Sequence, residues 1–545
     1  MPYLAQAQAW REHDVDPDTV AQVDRLLEQA EAGDESARTE LESAFAGPLE
    51  FGTAGLRGPL GPGPARMNRV VVSQAAAGFG RWLSQHGHQG DRVIIGYDAR
   101  HKSADFARDS ADILAAQGFE VLLADQPVPT PVVAYGIGHY QCVAGIVVTA
   151  SHNPPQDNGY KVYLGDGSQI ISPVDTEIAQ LIREVAQQPA GTLPRATRHT
   201  LVGPDLVAAY LARANSLLSP GPRQVNWVYT AMHGVGARVL EAAASQAGFP
   251  EPYLVAAQHD PDPDFPTVAF PNPEEPGAID LALDLAREHQ VDVVIANDPD
   301  ADRCAAAAVI DGQWRMLTGD ELGALLADDA VRRGAQGVYA CSIVSSSLLE
   351  KVAARAGQPF QTTLTGFKWI GRVPGLAFGY EEAIGYCTDP AAVPDKDGIT
   401  TALRLLRLTA ELKAQGQTLA DRLDQIAREH GLHSTSQLSV RVADLSLISD
   451  AMARLRAQPP SHLLGEPVQV EDLAAGGELP PTDGVRLSGH SLRVVVRPSG
   501  TEPKLKCYLE VRSPAEQSQQ VTSARAEHAE RLGRLRDEMA GALGL

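Results

Sequence analysis

A chain of 545 residues with a formal net charge of −22 is too long for a single core, and its acidity opposes binding to nucleic-acid phosphates. Its hydrophobic share of 44% and charged share of 21% are those of a globular protein, and no apolar run approaches the ~20 residues that cross a bilayer. Five scattered cysteines without Cys-x-x-Cys spacing exclude a disulfide framework and a cysteine zinc site; buried small hydrophobes are expected instead.

In chain order, the start Met1-Pro-Tyr-Leu-Ala-Gln lacks the basic and apolar blocks of a secretory signal, so a cytoplasmic protein is expected. Helical patterns over 20–31 and 35–45 read as decoration ahead of the glycine-rich Phe51-Gly-Thr-Ala-Gly-Leu-Arg-Gly58, which carries Arg57. Strand-like runs follow at 92–98, 145–151, 226–231, 291–298 and 337–344, with helical candidates at 104–117, 237–247, 279–288 and 347–356. That alternation predicts α/β layers, with Ser151 at the end of a parallel strand, where ligands of such sheets collect. Linker-like composition at 187–200, the turn Asp311-Gly312 and a softer break near 430–435 suggest four domains, 1–205, 206–312, 313–433 and 434–545. A second Pro- and Gly-rich stretch covers 459–482. The last domain reads as α+β: strands at 492–496 and 504–511 around a polar loop, then a charged helix over 514–539.

Five segments carry chemistry. Ser151 follows Thr149-Ala150 and precedes His152-Asn-Pro-Pro155, a hydroxyl on a stiffened loop, and Lys161 lies ten residues on as a possible proton donor or acceptor. It lacks the Gly-x-Ser-x-Gly elbow of a hydrolase. Asp298-Pro-Asp-Ala-Asp-Arg303 puts three carboxylates at alternate positions, which in an extended loop would point to one side and hold a hard cation. A calcium loop is excluded, because Arg303 stands where glycine is needed and Val309 where glutamate is needed. Arg497-Pro-Ser-Gly-Thr-Glu-Pro-Lys504 offers a guanidinium, two hydroxyls, a bare glycine and an ammonium to a phosphate. Tyr380-Glu-Glu-Ala-Ile-Gly-Tyr386 supplies two carboxylates suited to sugar hydroxyls, and Asp395-Lys396-Asp-Gly398 adds a lysine.

In this order, Gly52 to Gly58, Thr149 to Pro154, Asp298 to Arg303, Tyr380 to Gly385 and Arg497 to Pro503 closely resemble the α-D-phosphohexomutase superfamily, in its long phosphoglucomutase/phosphopentomutase branch. The resemblance implies an α/β protein of four domains around a central cleft, three of them related and built on mixed sheets, with a C-terminal α+β phosphate clamp. It implies interconversion of α-D-glucose 1-phosphate and glucose 6-phosphate through a phosphorylated Ser151 and a sugar bisphosphate; phosphopentomutase or phosphomannomutase chemistry by the same route is the alternative. One Mg²⁺ per chain would be held by Asp298, Asp300, Asp302 and a phosphoserine oxygen. Arg57, His152, Lys161 and Lys396 would act at the reacting centre, with Arg303, Thr365, Gly366, Lys368 and Glu381 on the sugar phosphate. Arg497, Ser499, Gly500, Thr501 and Lys504 would hold the non-reacting phosphate. The partners implied are small sugar phosphates, with neither nucleic acid nor membrane. Ala383 departs from the serine that many glucose and mannose mutases have there, which weakens the case for glucose. A phosphosugar sensor without catalysis would need the clamp but neither Ser151 nor the aspartates.

Overall fold

The structure, a computed structural model, describes residues 2–442, 444, 446–499, 504–516 and 520–545. Its contacts divide it into two compact units, Met1–Ala305 with Asp389–Arg407, and Ala306–Thr388 with Leu408–Leu545.

The first unit opens with three helices, α1 (Pro2–Arg11), α2 (Pro17–Glu31) and α3 (Glu35–Ala44), of which the sequence pattern predicted the last two. Asp16 caps α2, accepting the Asp18 amide, and Pro17 fills the first position, where a missing N–H costs nothing. Val23, Leu27, Leu41 and Phe45 close a small core of their own. Next come β1 (Leu56–Pro59), α4 (Arg69–Gln85), β2 (Arg92–Tyr97), α5 (Ser103–Ala116), β3 (Glu120–Ala124), α6 (Thr130–His139), β4 (Ala144–Val148), β5 (Asp157–Leu164), α7 (Val174–Val185) and β6 (His199–Val202). They form a six-stranded sheet of order β1-β5-β4-β2-β3-β6.

The sheet is mixed, as the resemblance implied: β4 is parallel to β2, as the run ending in Ser151 suggested, and antiparallel to β5. Only residues 149–156 join β4 to β5, fewer than the dozen or so a parallel crossover needs, so the chain must return beside itself. The stretch 187–200 also ends inside the sheet, because His199–Val202 adds an edge strand to β3. Phe79, Phe106 and Ile146 are fully buried under this sheet, and each such side chain contributes roughly 1.5–3 kcal/mol.

Still in the first unit, α8 (Pro204–Ser216), β7 (Trp227–Thr230), α9 (Gly236–Gln246), β8 (Tyr253–Leu254), α10 (Asp280–His289) and β9 (Val293–Asn297) follow. β7 lies between β8 and β9, parallel to both. The chain crosses to the second unit within β10 (Cys304–Ile310). Asp311-Gly312, read from the sequence as a turn, is the two-residue turn of a hairpin between β10 and β11 (Gln313–Met316). Both residues have φ near the left-handed region, +50° and +81°, as such tight hairpin turns require.

The second unit holds α11 (Gly319–Arg332), β12 (Val338–Ser342), α12 (Leu348–Arg355), β13 (Phe360–Thr363), α13 (Phe367–Ile370), β14 (Leu376–Glu381) and β15 (Gly385–Cys387), forming a sheet of order β13-β12-β14-β15. Thr318 and Glu321 form a capping box at the start of α11. α14 (Gly398–Ala414) begins in the first unit, and α15 (Leu419–His430) follows it. Then come β16 (Leu432–Arg441), α16 (Ser446–Ala457), β17 (His462–Leu463), β18 (Glu466–Pro467), β19 (Gln469–Asp472), β20 (Val485–Ser488), β21 (Leu492–Pro498), β22 (Lys504–Ser513) and α17 (Val521–Leu543). The last sheet has the order β16-β22-β21-β20-β19, so the Pro- and Gly-rich stretch 459–482 supplies an edge strand rather than a linker. The final helix starts later than residue 514, because β22 pairs with β16 over its full ten residues as far as Ser513.

Between these two strands and α17 sits His528, fully buried, with Nε2 2.7 Å from Ser513 Oγ and Nδ1 2.9 Å from Ser434 Oγ. Burial first, then Arg531 and His433, lower its pKa to about 4. The unfolded chain therefore takes up this proton near pH 6.5 and the fold only near 4, so stability is lost as pH falls through that window. His528→Gln is expected to flatten the loss of Tm between about pH 7 and pH 4.5, by on the order of 2 kcal/mol. Parallel Tm–pH curves for variant and parent would remove His528 from the acid response.

All five cysteines are free and buried, as the sequence led one to expect. Among the described residues, no helix is long and apolar enough to cross a membrane.

Candidate active site

The five residues of β4 are all buried, and the chain leaves the sheet at Thr149. Ser151, 2% exposed, has φ +52°, a left-handed conformation that side chains adopt only when their surroundings over-determine it. Its Oγ donates to Asp298 Oδ2 at 2.7 Å and lies 3.4 Å from Arg303 Nη1 and 3.5 Å from His152 Nδ1. Arg303 Nη1 also meets His152 Nδ1.

Asp298, Asp300 and Asp302 are completely buried, with ligand atoms within 4.8 Å of one another. They converge through a tight turn and not through an extended loop: the Ala301 amide donates to the Asp298 carbonyl at 2.8 Å, and Ala301 has φ +52°. Lys161 Nζ bridges Asp300 Oδ2 and Asp302 Oδ2, at 2.7 Å each. Thr130 Oγ1 adds a bond of 2.6 Å to Asp300 Oδ2, and Lys396 Nζ lies 3.4 Å from Asp302. Asp300 Oδ1 and Asp302 Oδ1 are buried without any hydrogen-bond partner. Two orphaned carboxylate oxygens beside a third carboxylate are the donor set of a hard divalent cation, so these residues fit a metal.

The charges act on one another strongly. Burial, then Asp300 and Asp302, push the Asp298 carboxyl well above the usual range. Burial raises Asp302 as well. Burial would also raise Asp300, but Lys161 outweighs it and holds Asp300 low. Burial alone would lower Lys161, yet the two aspartates keep its ammonium strongly protonated.

Around this centre, Arg57 on β1 donates to Asn153 Oδ1 at 3.1 Å. β1 can lie there because Gly55, at φ +75°, has no Cβ to strike the Tyr160 carbonyl. The Asp395-Lys396-Asp397 loop is buried, not solvated, with Asp395 accepting from Tyr163 and Gln169 at 2.9 Å.

In the second unit, Thr365 and Gly366 precede α13, which carries Lys368, and Glu381 ends β14 at 7% exposure. Glu382 is turned inward, accepting from Ser342 Oγ at 3.0 Å and Ser345 Oγ at 2.9 Å, while its amide donates to Ser345 Oγ. Gly319 sits against the Glu382 carbonyl, where a Cβ would collide. Arg497 lies near the end of β21, and the Ser499 amide donates to the Lys504 carbonyl at 2.8 Å, closing the hairpin. Gly500 and Thr501 lie outside the described residues. Burial, then Glu382, Arg497 and Glu381, act on the Tyr508 phenol, so the sugar-type loop and the hairpin flank one ring.

Sequence reasoning missed Asp98, Arg100, Thr130 and the serines that hold Glu382. Asp98-Ala-Arg100 follows β2 as Ser151 follows β4, so the strand-end rule that selected Ser151 could have found it. Thr130 lies 170 residues from Asp300, and no local pattern links them.

Buried carboxylates, ammoniums and a strand-end hydroxyl are the kinds of group that phosphoryl transfer uses. The chain belongs to the phosphoglucomutase/phosphomannomutase family, in the α-D-phosphohexomutase superfamily. It matches the family's α/β/α domain I at residues 48–189, domain II at 209–309, domain III at 318–430 and the C-terminal domain at 439–528. It is 46% identical over 454 residues to the "Probable phosphomannomutase" of Haemophilus influenzae, covering 82% of this chain and 93% of that one. It is 36% identical over 565 residues to the phosphopentomutase of Mus musculus, covering 93% and 89%. A solved phosphoglucomutase/phosphomannomutase family protein from Burkholderia thailandensis shares the fold, with TM-score 0.69 at 20% identity, covering 90% of this chain and 97% of that one. The protein is a phosphosugar mutase with a four-domain α/β architecture.

Proposed function

We propose that the protein interconverts α-D-glucose 1-phosphate and glucose 6-phosphate, with Ser151 as phosphoryl carrier and a sugar bisphosphate as intermediate. The observation that carries this reading is the 2.7 Å bond from Ser151 Oγ to Asp298 Oδ2, which sets a nucleophilic oxygen against a cluster suited to a cation. Mg²⁺ bound by Asp298, Asp300, Asp302 and a phosphoserine oxygen would supply charge neutralisation at the transferring group. Arg303, 3.4 Å from Oγ, adds a guanidinium for the phosphoryl oxygens.

The sugar hydroxyl attacks phosphorus, the bond to Ser151 Oγ breaks, the hydroxyl proton passes to a neighbouring base, and the departing Oγ takes a proton from a neighbouring acid and becomes the serine hydroxyl again. His152, whose Nδ1 lies 3.5 Å from Oγ, stands within reach of that proton. Lys161, kept protonated by Asp300 and Asp302, suits the acid of the return step, with Lys396 beside it. Arg57 steadies the loop through Asn153 and faces the substrate phosphate. Thr365, Gly366, Lys368 and Glu381 take the sugar, and Arg497, Ser499, Gly500, Thr501 and Lys504 the non-reacting phosphate.

A pentose reading is the second, favoured by Ala383, which offers no hydroxyl, by the inward-turned Glu382 and by the mouse relative's name. Comparing kcat/KM for glucose, mannose and ribose 1-phosphates after priming with a sugar bisphosphate decides between them. Glucose is expected to lead; a tenfold preference for ribose would replace the sugar and leave the carrier untouched.

A further inference from the structure

Ser151 has a strained backbone in a loop without helix or strand to hold it, so something else must fix its geometry. The strand-end segment Asp98–Ser103 does so from both sides of the residue. On the amide side, the Asp98 N–H donates to the Val148 carbonyl at 3.0 Å, just ahead of Thr149, whose Oγ1 accepts the Ser151 N–H at 2.8 Å. On the carbonyl side, Arg100 Nη2 donates to the Ser151 oxygen at 2.7 Å.

The rest of that guanidinium is committed to the same loop. Nη2 also donates to the Asn153 carbonyl, and Nη1 to the carbonyls of Pro154 and Asp157, all four bonds lying between 2.5 and 3.2 Å. Four terminal N–H hydrogens therefore meet four carbonyl oxygens, a match that a planar fork makes and a tetrahedral ammonium with three hydrogens cannot. The side chain is 1% exposed, and the Phe265 ring covers it at 4.8 Å. Asp98 faces Arg100 Nε at 3.4 Å, supplying charge without taking a hydrogen from the fork. Asp98 itself is fixed by the Arg100 amide at 3.0 Å and Ser103 Oγ at 2.6 Å.

We propose that Arg100, backed by Asp98, is the positioning residue of the nucleophile: it holds the 151–157 main chain so that Ser151 Oγ stands at its place between Asp298 and Arg303. This rests on Ser151 being the phosphoryl carrier. Loss of the fork leaves substrate groups intact and misplaces the reacting oxygen, so the effect falls on kcat and not on KM. A misplacement of this kind costs about 100-fold, or about 2.7 kcal/mol of barrier.

The test compares Arg100→Lys, Asp98→Asn and Arg195→Gln in the full-length protein with Mg²⁺ and a sugar bisphosphate, each rate taken per folded molecule. Arg195 belongs to the same sheet domain but pairs with Asp109 at 2.6 Å, so it reports stability loss alone. The expected result is a kcat lower by about 100-fold for Arg100→Lys and by about tenfold for Asp98→Asn, with KM within threefold and Arg195→Gln near the parent. Added guanidinium ion should restore part of the rate to Arg100→Gly, which a general packing defect would not allow. If Arg100→Lys fails to fold, Asp98→Asn alone decides. A kcat within threefold of the parent in the folded variants, or a loss confined to KM, overturns the proposal. Should Ser151→Ala stay active, the carrier assignment fails first; should it be inert while Arg100→Lys is fully active, only the positioning role fails.

Discussion

Ser151→Ala is expected to lower mutase kcat by roughly 10⁴-fold or more, about 5 kcal/mol of barrier, while the protein remains folded. Among the described residues, Ser151 Oγ is met, besides Asp298, by a guanidinium that cannot accept a phosphoryl group and by the His152 imidazole. Stability should fall by only about 1–2 kcal/mol, from the donor lost to buried Asp298 and from alanine in a left-handed backbone. Intact-mass measurement after incubation with a sugar bisphosphate should find a phosphate on the parent and none on the variant. A phosphorylated or active Ser151→Ala would move the carrier elsewhere.

Asp298→Asn separates function from stability in the opposite direction. Three carboxylates converge within 4.8 Å with complete burial, and Asp298 is the one whose charged form is disfavoured by burial and by both neighbours. Without metal, the amide should leave Tm unchanged or raise it by a few degrees, because the fold no longer bears the cost of burying this carboxyl beside Asp300 and Asp302. With metal, the same change removes a ligand oxygen, and Mg²⁺ affinity measured by calorimetry should fall at least about 100-fold. The kcat should drop about 10³-fold. A lower metal-free Tm combined with unchanged Mg²⁺ binding would mean that Asp298 is structural and that the cation, if any, lies elsewhere.

Much of this site was legible because its chemistry is local in sequence. A hydroxyl after an apolar strand, three aspartates in five residues and a guanidinium next to them need only short-range order to be read. The α/β class was legible for the same reason, as strand-like and helix-like patterns alternate over short windows. Lys161 and Lys396 could be named but not placed: either could have been a solvated side chain, and only the fold brings both to Asp302.

Other features were decided by groups far apart in the chain. Nothing near Glu382 in the chain announces its partners Ser342 and Ser345, some forty residues earlier. Thr130 reaches Asp300 across 170 residues.

Taken by itself, the sequence determined the family, the α/β class, the absence of a disulfide framework and the residues that carry charge or a reactive oxygen, because each depends on side-chain type and short spacing. Tertiary structure alone decided which of these groups meet, what protonation their burial imposes and how a strained serine is held. Those depend on desolvation and on hydrogen bonds across long loops, for which the linear order of residues has no code. Arg100 is the clearest instance, an ordinary arginine after a strand in the sequence and the partner of four carbonyls around Ser151 in the fold.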